Sequence, residues 1–301
     1  MEAATRSTVT VVTLSGEPVT LAVPLSSRVA DARAMIVERG HLRARRGQLV
    51  LGDRTLEDGA EIEKLPSGVD WQLVYGETSR EECYKAAVEA EAWGCYKEAV
   101  AHLEQLGRSG EPSSLTREER DCWARNGKRV LQGLRDAIQA AADADRPALS
   151  DDLERVCAQL LEFCHLQSTS ASAEDLVCYN RFSGDMYRYL ATMGCSKLSA
   201  QRVRLAEEAY KTASASTEAL SPLNPVRLSL ALNFSVFLHE VLQDHDQALQ
   251  IARESFDDAI SFNLGRGEDW ELEGYDKGAV SQLLQLLRDN LTLWSEAVGG
   301  S

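Results

Sequence analysis

The sequence predicts two folded domains of different class, an α+β segment at residues 1–77 and an all-α segment at residues 78–297, with a flexible tail at residues 298–301. Short runs of β-branched residues and turn residues fill the first segment. In the second segment, apolar residues recur with the 3.6-residue period of a helix. All seven cysteines also lie in the second segment, which indicates a different composition on the two sides of the boundary.

The first segment is predicted to begin with a β-hairpin and to continue through one helix to two further strands. The strand candidates are residues 9–14, 19–23, 48–51 and 71–75. Gly16 and Pro18 supply turn chemistry between the first two strands. Apolar residues from Val29 to Ile36 have helical spacing, and Gly40 lies just beyond them. This order of elements is that of a β-grasp domain.

The second segment is predicted to be an array of helices, because alanine, leucine and glutamate dominate between breaks rich in glycine, proline and serine. The predicted helices are residues 79–107, 116–143, 150–168, 173–194, 198–218, 224–243, 245–263 and 278–297. Helices of this length with short breaks are typical of an α-solenoid or a layered bundle.

Composition excludes several classes of function. The net charge of −15 makes nucleic acid an unsuitable general partner. No stretch reaches the roughly 20 apolar residues of a membrane span, and the first residues lack the apolar run of a secretory signal. Seven cysteines without a C-x-x-C spacing predict reduced thiols rather than a metal site. We therefore expect no membrane partner, cofactor or metal, and a location in the cytoplasm that can extend to the nucleus.

Four predicted helices carry polar or amphipathic stripes that suit a shared groove. Lys128 and Arg135 are seven residues apart, so they lie on one helix face. Asp185 precedes Arg188 by three residues, which lets its carboxylate hold the guanidinium. The other two stripes are Asn233, Val236 and Glu240 on a third helix, and Leu283, Leu286, Asn290 and Trp294 on the last.

These residue types suit recognition of a phosphorylated peptide. Arginine binds a phosphate dianion through two parallel hydrogen bonds, and lysine and tyrosine add further donors. Asparagine amides bind a peptide main chain through both donor and acceptor. Each stripe also has a structural interpretation: a solvated face, a surface ion pair or a core contact. No catalytic pair is apparent, because Cys164 and His165 are adjacent and point about 100° apart on a helix.

Several stretches of the helical segment are specific enough to indicate a family. They are residues 184–191, 230–237 and 285–294, and Glu118-Glu119-Arg120 followed by Lys128 and Arg135. With these stretches, residues 78–297 resemble the 14-3-3 family. The resemblance implies nine antiparallel helices that form a cup with an amphipathic groove.

The resemblance also implies a role for each groove residue. Phosphate would be bound by Lys128, Arg135, Arg188 and Tyr189, and the peptide backbone by Asn233 and Asn290. The residues implied to line or support the groove are Arg181, Asp185, Leu232, Val236, Glu240, Leu283, Leu286 and Trp294.

Two regions depart from the family pattern. The chain between Arg135 and Arg188 is shorter, and residues 139–147 replace a stretch of helix that supplies half of the family's dimer contacts. Residues 93–97 stand where an arginine and acidic residues usually make reciprocal salt bridges. We therefore expect an intact groove in a monomer or an atypical dimer.

Residues 8–77 are similar to ubiquitin, with the likeness carried by residues 12–16 and 48–59. Leu14, Val50 and Val74 fall where ubiquitin has its apolar docking patch; the alternative is that they only complete a β-grasp surface. No diglycine closes the segment at residues 75–77, so conjugation through it is not expected. Receptors of the ubiquitin pathway are the partners that this likeness implies.

The sequence therefore predicts a non-enzymatic adaptor of signal transduction. It would bind phosphoserine and phosphothreonine motifs of client proteins and carry a ubiquitin-like docking module. The alternative is a structural scaffold whose groove takes non-phosphorylated amphipathic helices. These two functions differ in whether binding depends on the phosphate group of the ligand.

Overall fold

The structure, a computed structural model, describes most of the chain: residues 6–12, 18–24, 26–38, 48–51, 54–57, 59–65, 71–74, 79–109, 114–169, 171–193, 199–266 and 274–299. The Cα positions separate into two units, Met1–Gln132 and Gly133–Ser301, and each is described by itself. In these ranges there are ten α-helices and five strands, so the chain is mostly helical. None of the helices described is long and apolar enough to cross a membrane. The domain limits drawn from the sequence stay predictions.

The first unit begins with a mixed sheet and one helix. The elements are β1 (Arg6–Val12), β2 (Pro18–Pro24), α1 (Val29–Glu38), β3 (Gln48–Leu51), β4 (Arg54–Leu56) and β5 (Trp71–Val74). The strand order is β2-β1-β5-β3-β4, with β1 and β5 parallel and the other pairs antiparallel. Alternate residues such as Val9 and Leu21 point into one core with Ile36 of α1. Strand β4 was not predicted, because three residues are too few to show an alternating pattern.

Three helices follow in the first unit: α2 (Arg80–Ala92), α3 (Tyr96–Ser109) and α4 (Arg117–Ala140), which continues into the second unit. The sequence predicted a single helix over residues 79–107, and this prediction was wrong. Gly94 has φ of 75°, a left-handed conformation that ends α2 and that glycine adopts without steric cost. Ser79 and Glu82 form a reciprocal capping box at the start of α2.

The second unit is built from helices. After the end of α4 they are α5 (Arg146–Ser168), α6 (Ala173–Met193), α7 (Ser199–Ala215), α8 (Pro225–Phe237), α9 (His245–Arg266) and α10 (Lys277–Gly299). Helix α5 starts four residues earlier than predicted, because Pro147 lies in its first turn, where a proline needs no N–H. Helix α10 extends to Gly299, so two residues of the predicted tail are helical.

Helix α8 lies in the core of the second unit. Leu228, Leu230 and Phe234 are among its buried residues, and they pack in one cluster with residues of α6, α7, α9 and α10. Asn224 caps its start by accepting from the Val226 N–H at 2.8 Å. After Phe237 the helix widens into a π-turn, Leu238–Leu242. Because α8 is held on several sides, the polar residues it carries have fixed positions.

Candidate functional site

The candidate site is centred on α6, which places Arg181, Asp185, Arg188 and Tyr189 within just over two turns. The spacings of four, seven and eight residues bring these side chains to one helix face. Arg181 and Asp185 are buried, whereas Arg188 and Tyr189 are half-buried. This face therefore combines a buried ion pair with a cation and a phenol that remain partly accessible.

The Asp185 carboxylate is the best-bonded group of the site. It accepts from the Arg181 Nη1 at 3.3 Å and from the Tyr210 hydroxyl at 2.6 Å. The Asn233 amide Nδ2 lies 3.0 Å from Asp185 Oδ1 and 2.8 Å from Oδ2. Three helices, α6, α7 and α8, thus meet at one carboxylate. A buried carboxylate is stable only when such donors compensate its lost hydration.

Two guanidinium groups converge on the Tyr189 ring. The Arg135 Cζ lies 4.2 Å from the ring centroid, and the Arg188 Cζ lies 4.8 Å from it. Both distances are within cation–π range. Because two cations approach one ring, their combined field favours an anion beside it.

Electrostatic interactions favour the charged form of Arg188 and the protonated form of Tyr189. Burial opposes the charged form of Arg188, but Tyr210 and Asp185 outweigh it and raise its pKa above the ordinary arginine value. Burial, with Asp185, raises the pKa of the Tyr189 phenol, although the neighbouring arginines act in the opposite direction. At neutral pH the site therefore presents the charged Arg188 guanidinium and the Tyr189 phenol, which still has its proton to donate.

The predicted phosphate ligand Lys128 is exposed on α4, seven residues before Arg135. It belongs to the first unit, and its function as a further cation of the site stays a prediction. Arg181 was predicted to support the groove with a positive charge. Its side chain is 5% exposed and is paired with Asp185, so it positions a carboxylate and is not presented to solvent.

Helices α8 and α10 carry the predicted peptide-binding residues. Leu232, Val236 and Leu283 are half-buried against the core of the second unit, and Glu240 is exposed in the π-turn. Asn290 is half-buried, and Leu286 is 43% exposed. Trp294, predicted to line the apolar wall, is only 5% exposed. Its indole therefore contributes mainly to packing.

The Trp294 indole packs against a histidine pair. The His239 ring stacks on it with centroids 4.4 Å apart and planes 10° apart. The His245 ring lies 4.4 Å from His239 at 60°. Burial, followed by the neighbouring His245, lowers the pKa of His239 below its ordinary value, although Glu240 acts to raise it. This end of α8 therefore favours an uncharged imidazole.

The sequence predicted neither Tyr210 of the site nor Leu293, an exposed leucine of α10. Tyr210 of α7 is fully buried and bonds to Asp185, but its position in the chain shows no motif that announces this. Leu293 of α10 is 64% exposed, and it lies seven residues after Leu286. The seven-residue spacing was a signal that could have identified Leu293, because it extends the stripe of exposed leucines by two turns.

The predicted docking patch in the sheet region is described only in part. Val50 is half-buried on β3, and the backbone of Val74 lies in β5. Leu14 and the side chain of Val74 lie outside the described residues. The patch stays a prediction.

The cysteines in the described ranges are thiols outside any disulfide. Burial raises the pKa of Cys157 to about 12, and burial with Glu91 raises that of Cys122 to about 11. Both thiols are therefore protonated at neutral pH and are weak nucleophiles. Cys164 is buried and its neighbour His165 is exposed. Among the described residues, no group of three or more His, Cys, Asp or Glu side chains is arranged to hold a metal ion.

Comparison with known proteins defines the class of this chain. The family model for the 14-3-3 protein matches residues 85–295. The 14-3-3-like protein GF14 psi of Arabidopsis thaliana is 34% identical over 242 residues, covering 72% of this chain and 91% of that protein. The 14-3-3 protein homolog of Candida albicans is 34% identical over 241 residues, covering 72% and 88%. The 14-3-3-like protein GF14-F of rice, Oryza sativa subsp. japonica, is 35% identical over 243 residues, covering 73% and 90%.

The chain belongs to the 14-3-3 family. The matched residues include α3 to α9 in full and most of α2 and α10, so every candidate phosphate and peptide ligand lies within the family region.

Proposed function

We propose that this protein is a non-enzymatic adaptor that binds phosphoserine and phosphothreonine motifs of client proteins. The observation that carries the proposal is the convergence of Arg135 and Arg188 on the Tyr189 ring. Family membership supports it, because this arrangement lies within the matched region.

The site has the donors that a phosphate dianion needs. A guanidinium group offers two parallel N–H donors to a phosphate, and a hydrogen bond of this charge-assisted kind contributes about 1.5–3 kcal/mol. The protonated Tyr189 hydroxyl adds a neutral donor. Lys128 is the proposed third cation, as an exposed charge on the helix that carries Arg135.

The remaining groove residues suit the peptide around the phosphate. The Asn233 amide nitrogen is engaged by Asp185, which leaves its carbonyl oxygen as an acceptor for a main-chain N–H. Asn290 is the second proposed backbone ligand. The exposed leucines Leu286 and Leu293 offer apolar area for flanking side chains.

Phosphate dependence tests the proposal. A labelled phosphoserine peptide from a library selection is titrated against the full chain before and after treatment with a phosphatase. We expect dephosphorylation to remove binding, because the guanidinium groups then face no anion. Equal affinity of the two peptides would favour the alternative, a scaffold whose groove takes non-phosphorylated amphipathic helices.

We further propose that the sheet region is a ubiquitin-like β-grasp module used for docking. The strand order β2-β1-β5-β3-β4, the parallel β1–β5 pair and the single packed helix α1 support this assignment. The proposed partners are receptors of the ubiquitin pathway, through Leu14, Val50 and Val74. The proposed location of the protein is the cytoplasm, extending to the nucleus.

A further inference from the structure

Tyr210 of α7 is the residue that links the buried carboxylate to the phosphate site. Its ring is fully buried and lies 5.3 Å from the rings of both Phe234 and Phe237, stacked on the first and tilted against the second. Its hydroxyl donates to Asp185 Oδ1 at 2.6 Å, and the same phenol acts to raise the pKa of the Arg188 guanidinium. The phenol oxygen therefore bonds to the carboxylate and acts electrostatically on a cation of the same helix.

Gly184 makes this position of the ring possible. A Cβ at residue 184 would lie 2.8 Å from Tyr210 Cε1 and 2.9 Å from Cδ1 and Cζ. These distances are shorter than real Cβ contacts, so any larger residue would push the ring away from α6. The ring's position is thus set on one side by the phenylalanines and on the other by the absent side chain of Gly184.

The Tyr210 hydroxyl affects whether Asp185 can pair with Arg188. Asp185 and Arg188 are three residues apart on α6, a spacing at which opposite charges pair directly. A carboxylate paired with Arg188 would compete with a phosphate for the same N–H donors. Here Tyr210, Arg181 and Asn233 already bond to the carboxylate, so its acceptor positions are occupied.

We propose that Tyr210 is a positioning residue of the phosphate site: its hydroxyl holds Asp185 away from Arg188 and directs the guanidinium toward the ligand. This inference rests on the proposed function and adds a residue that does not touch the ligand. It explains why a tyrosine, with a hydroxyl at its end, stands in a core otherwise formed there by phenylalanines.

The variant Tyr210→Phe tests the proposal, because it removes only the oxygen and keeps the stacked ring. Tyr187→Phe, on the same helix as Asp185 and half-buried, is the matched control. Gly184→Ala tests the position of the Tyr210 hydroxyl in another way, because the added methyl group displaces the ring while the hydroxyl is retained. Each variant is first melted to confirm folding. The dissociation constant of a labelled phosphoserine peptide is then measured at pH 7.5 and pH 5.5.

The pH comparison separates positioning from a general structural loss. The second pKa of a phosphate monoester is near 6, so the ligand is mainly a dianion at pH 7.5 and mainly a monoanion at pH 5.5. In Tyr210→Phe the Asp185 carboxylate is free to neutralise Arg188, which matters most for the dianion. We expect the dissociation constant to rise at least fivefold at pH 7.5 and distinctly less at pH 5.5. Tyr187→Phe should stay within twofold of the unchanged protein at both pH values.

Two outcomes would overturn the inference while leaving the proposed function in place. One is unchanged affinity in folded Tyr210→Phe at pH 7.5. The other is an equal loss at both pH values, which would indicate a structural role alone. If the unchanged protein fails to bind any phosphopeptide, the proposed function is wrong and this inference is wrong with it.

Discussion

At the scale of single residues, the candidate site depends on which arginines remain accessible. Arg181 is buried and paired with Asp185, whereas Arg188 is half-buried beside the Tyr189 ring. The three arginines therefore differ in burial and pairing: Arg181 is buried against the carboxylate, whereas Arg135 and Arg188, the proposed phosphate ligands, are half-buried. Charge counted from the sequence does not reveal this difference, because it depends on burial.

The variants Arg135→Ala and Arg188→Ala should each weaken phosphopeptide binding at least tenfold without unfolding the protein. The loss of one charge-assisted hydrogen bond costs about 1.5–3 kcal/mol, and 1.4 kcal/mol corresponds to a factor of ten. Arg253→Ala, which removes an exposed arginine of α9, is the matched control for net charge. Fluorescence anisotropy with a labelled peptide gives the constants. Wild-type affinity in either variant would contradict the assignment.

His239 should titrate below the ordinary histidine pKa of 6.5, because burial and His245 disfavour its charged form. A histidine whose folded pKa is lowered stabilises the fold fully above the unfolded pKa, and this contribution is lost as pH falls toward the folded pKa. NMR titration of the imidazole protons should show that His245→Gln raises the His239 pKa and Glu240→Gln lowers it. A His239 pKa at or above the ordinary value of 6.5 would contradict the effect of burial and of His245.

At the scale of elements, two glycines illustrate opposite requirements. Gly94 ends α2 with φ of 75°, whereas Gly133 lies inside α4 with open space around the position of a Cβ. The left-handed conformation is strained for alanine, but a helix interior favours alanine over glycine. The same substitution should therefore have effects of opposite sign at the two positions.

We expect Gly94→Ala to lower the free energy of unfolding by about 1 kcal/mol and Gly133→Ala to raise it by about 0.5–1 kcal/mol. Urea denaturation followed by circular dichroism measures both, with peptide binding as a check that the site is intact. A stabilised Gly94→Ala would show that the turn between α2 and α3 adopts another conformation in solution.

The sheet region is a further element whose role is testable. If it is a docking module, mass spectrometry of protein recovered from cells that express it should show full-length chains without conjugates through Gly76. The reason is that residues 75–77, Tyr-Gly-Glu, lack the diglycine needed for an isopeptide bond. Remnants attached through that position would make the segment a modifier instead.

At the scale of the whole molecule, the oligomeric state can be tested directly. Trp93, at the end of α2, is 70% exposed. An exposed tryptophan often anchors an interface. The resemblance to the family predicts that residues 93–97 and 139–147 stand in place of the salt bridges and the longer helix of its dimer contacts.

We expect a monomer or a weak dimer at low micromolar concentration in sedimentation equilibrium. Several ion pairs lost together with apolar contact should cost a two-fold interface much of its affinity. Trp93→Ala distinguishes the two cases, since it leaves a monomer unchanged and dissociates a dimer that uses this side chain. A tight dimer with the family's subunit arrangement would falsify the expectation.

The sequence by itself determined the family and most helices of the second unit. Stretches such as residues 184–191 and 230–237 are specific to the family. Helical periodicity is a property of the local sequence and can be recognised without knowing the fold. The candidate ligands of α6 and α8 followed from those stretches. The break after α2 was missed, since the helical period continues through Gly94 and only its φ value ends the helix.

Only the tertiary structure decided how those residues are used. Tyr210 meets Asp185 across 25 positions of the chain, and Trp294 of α10 stacks on His239 of the α8 turn. Neither contact has a periodic or motif signal, because the partners belong to different helices. Burial also depends on tertiary packing: it places the Arg181 side chain in the interior and leaves the Leu293 side chain exposed to solvent. The chemistry of the site therefore depends on packing between helices, whereas its residue types were already present in the local sequence.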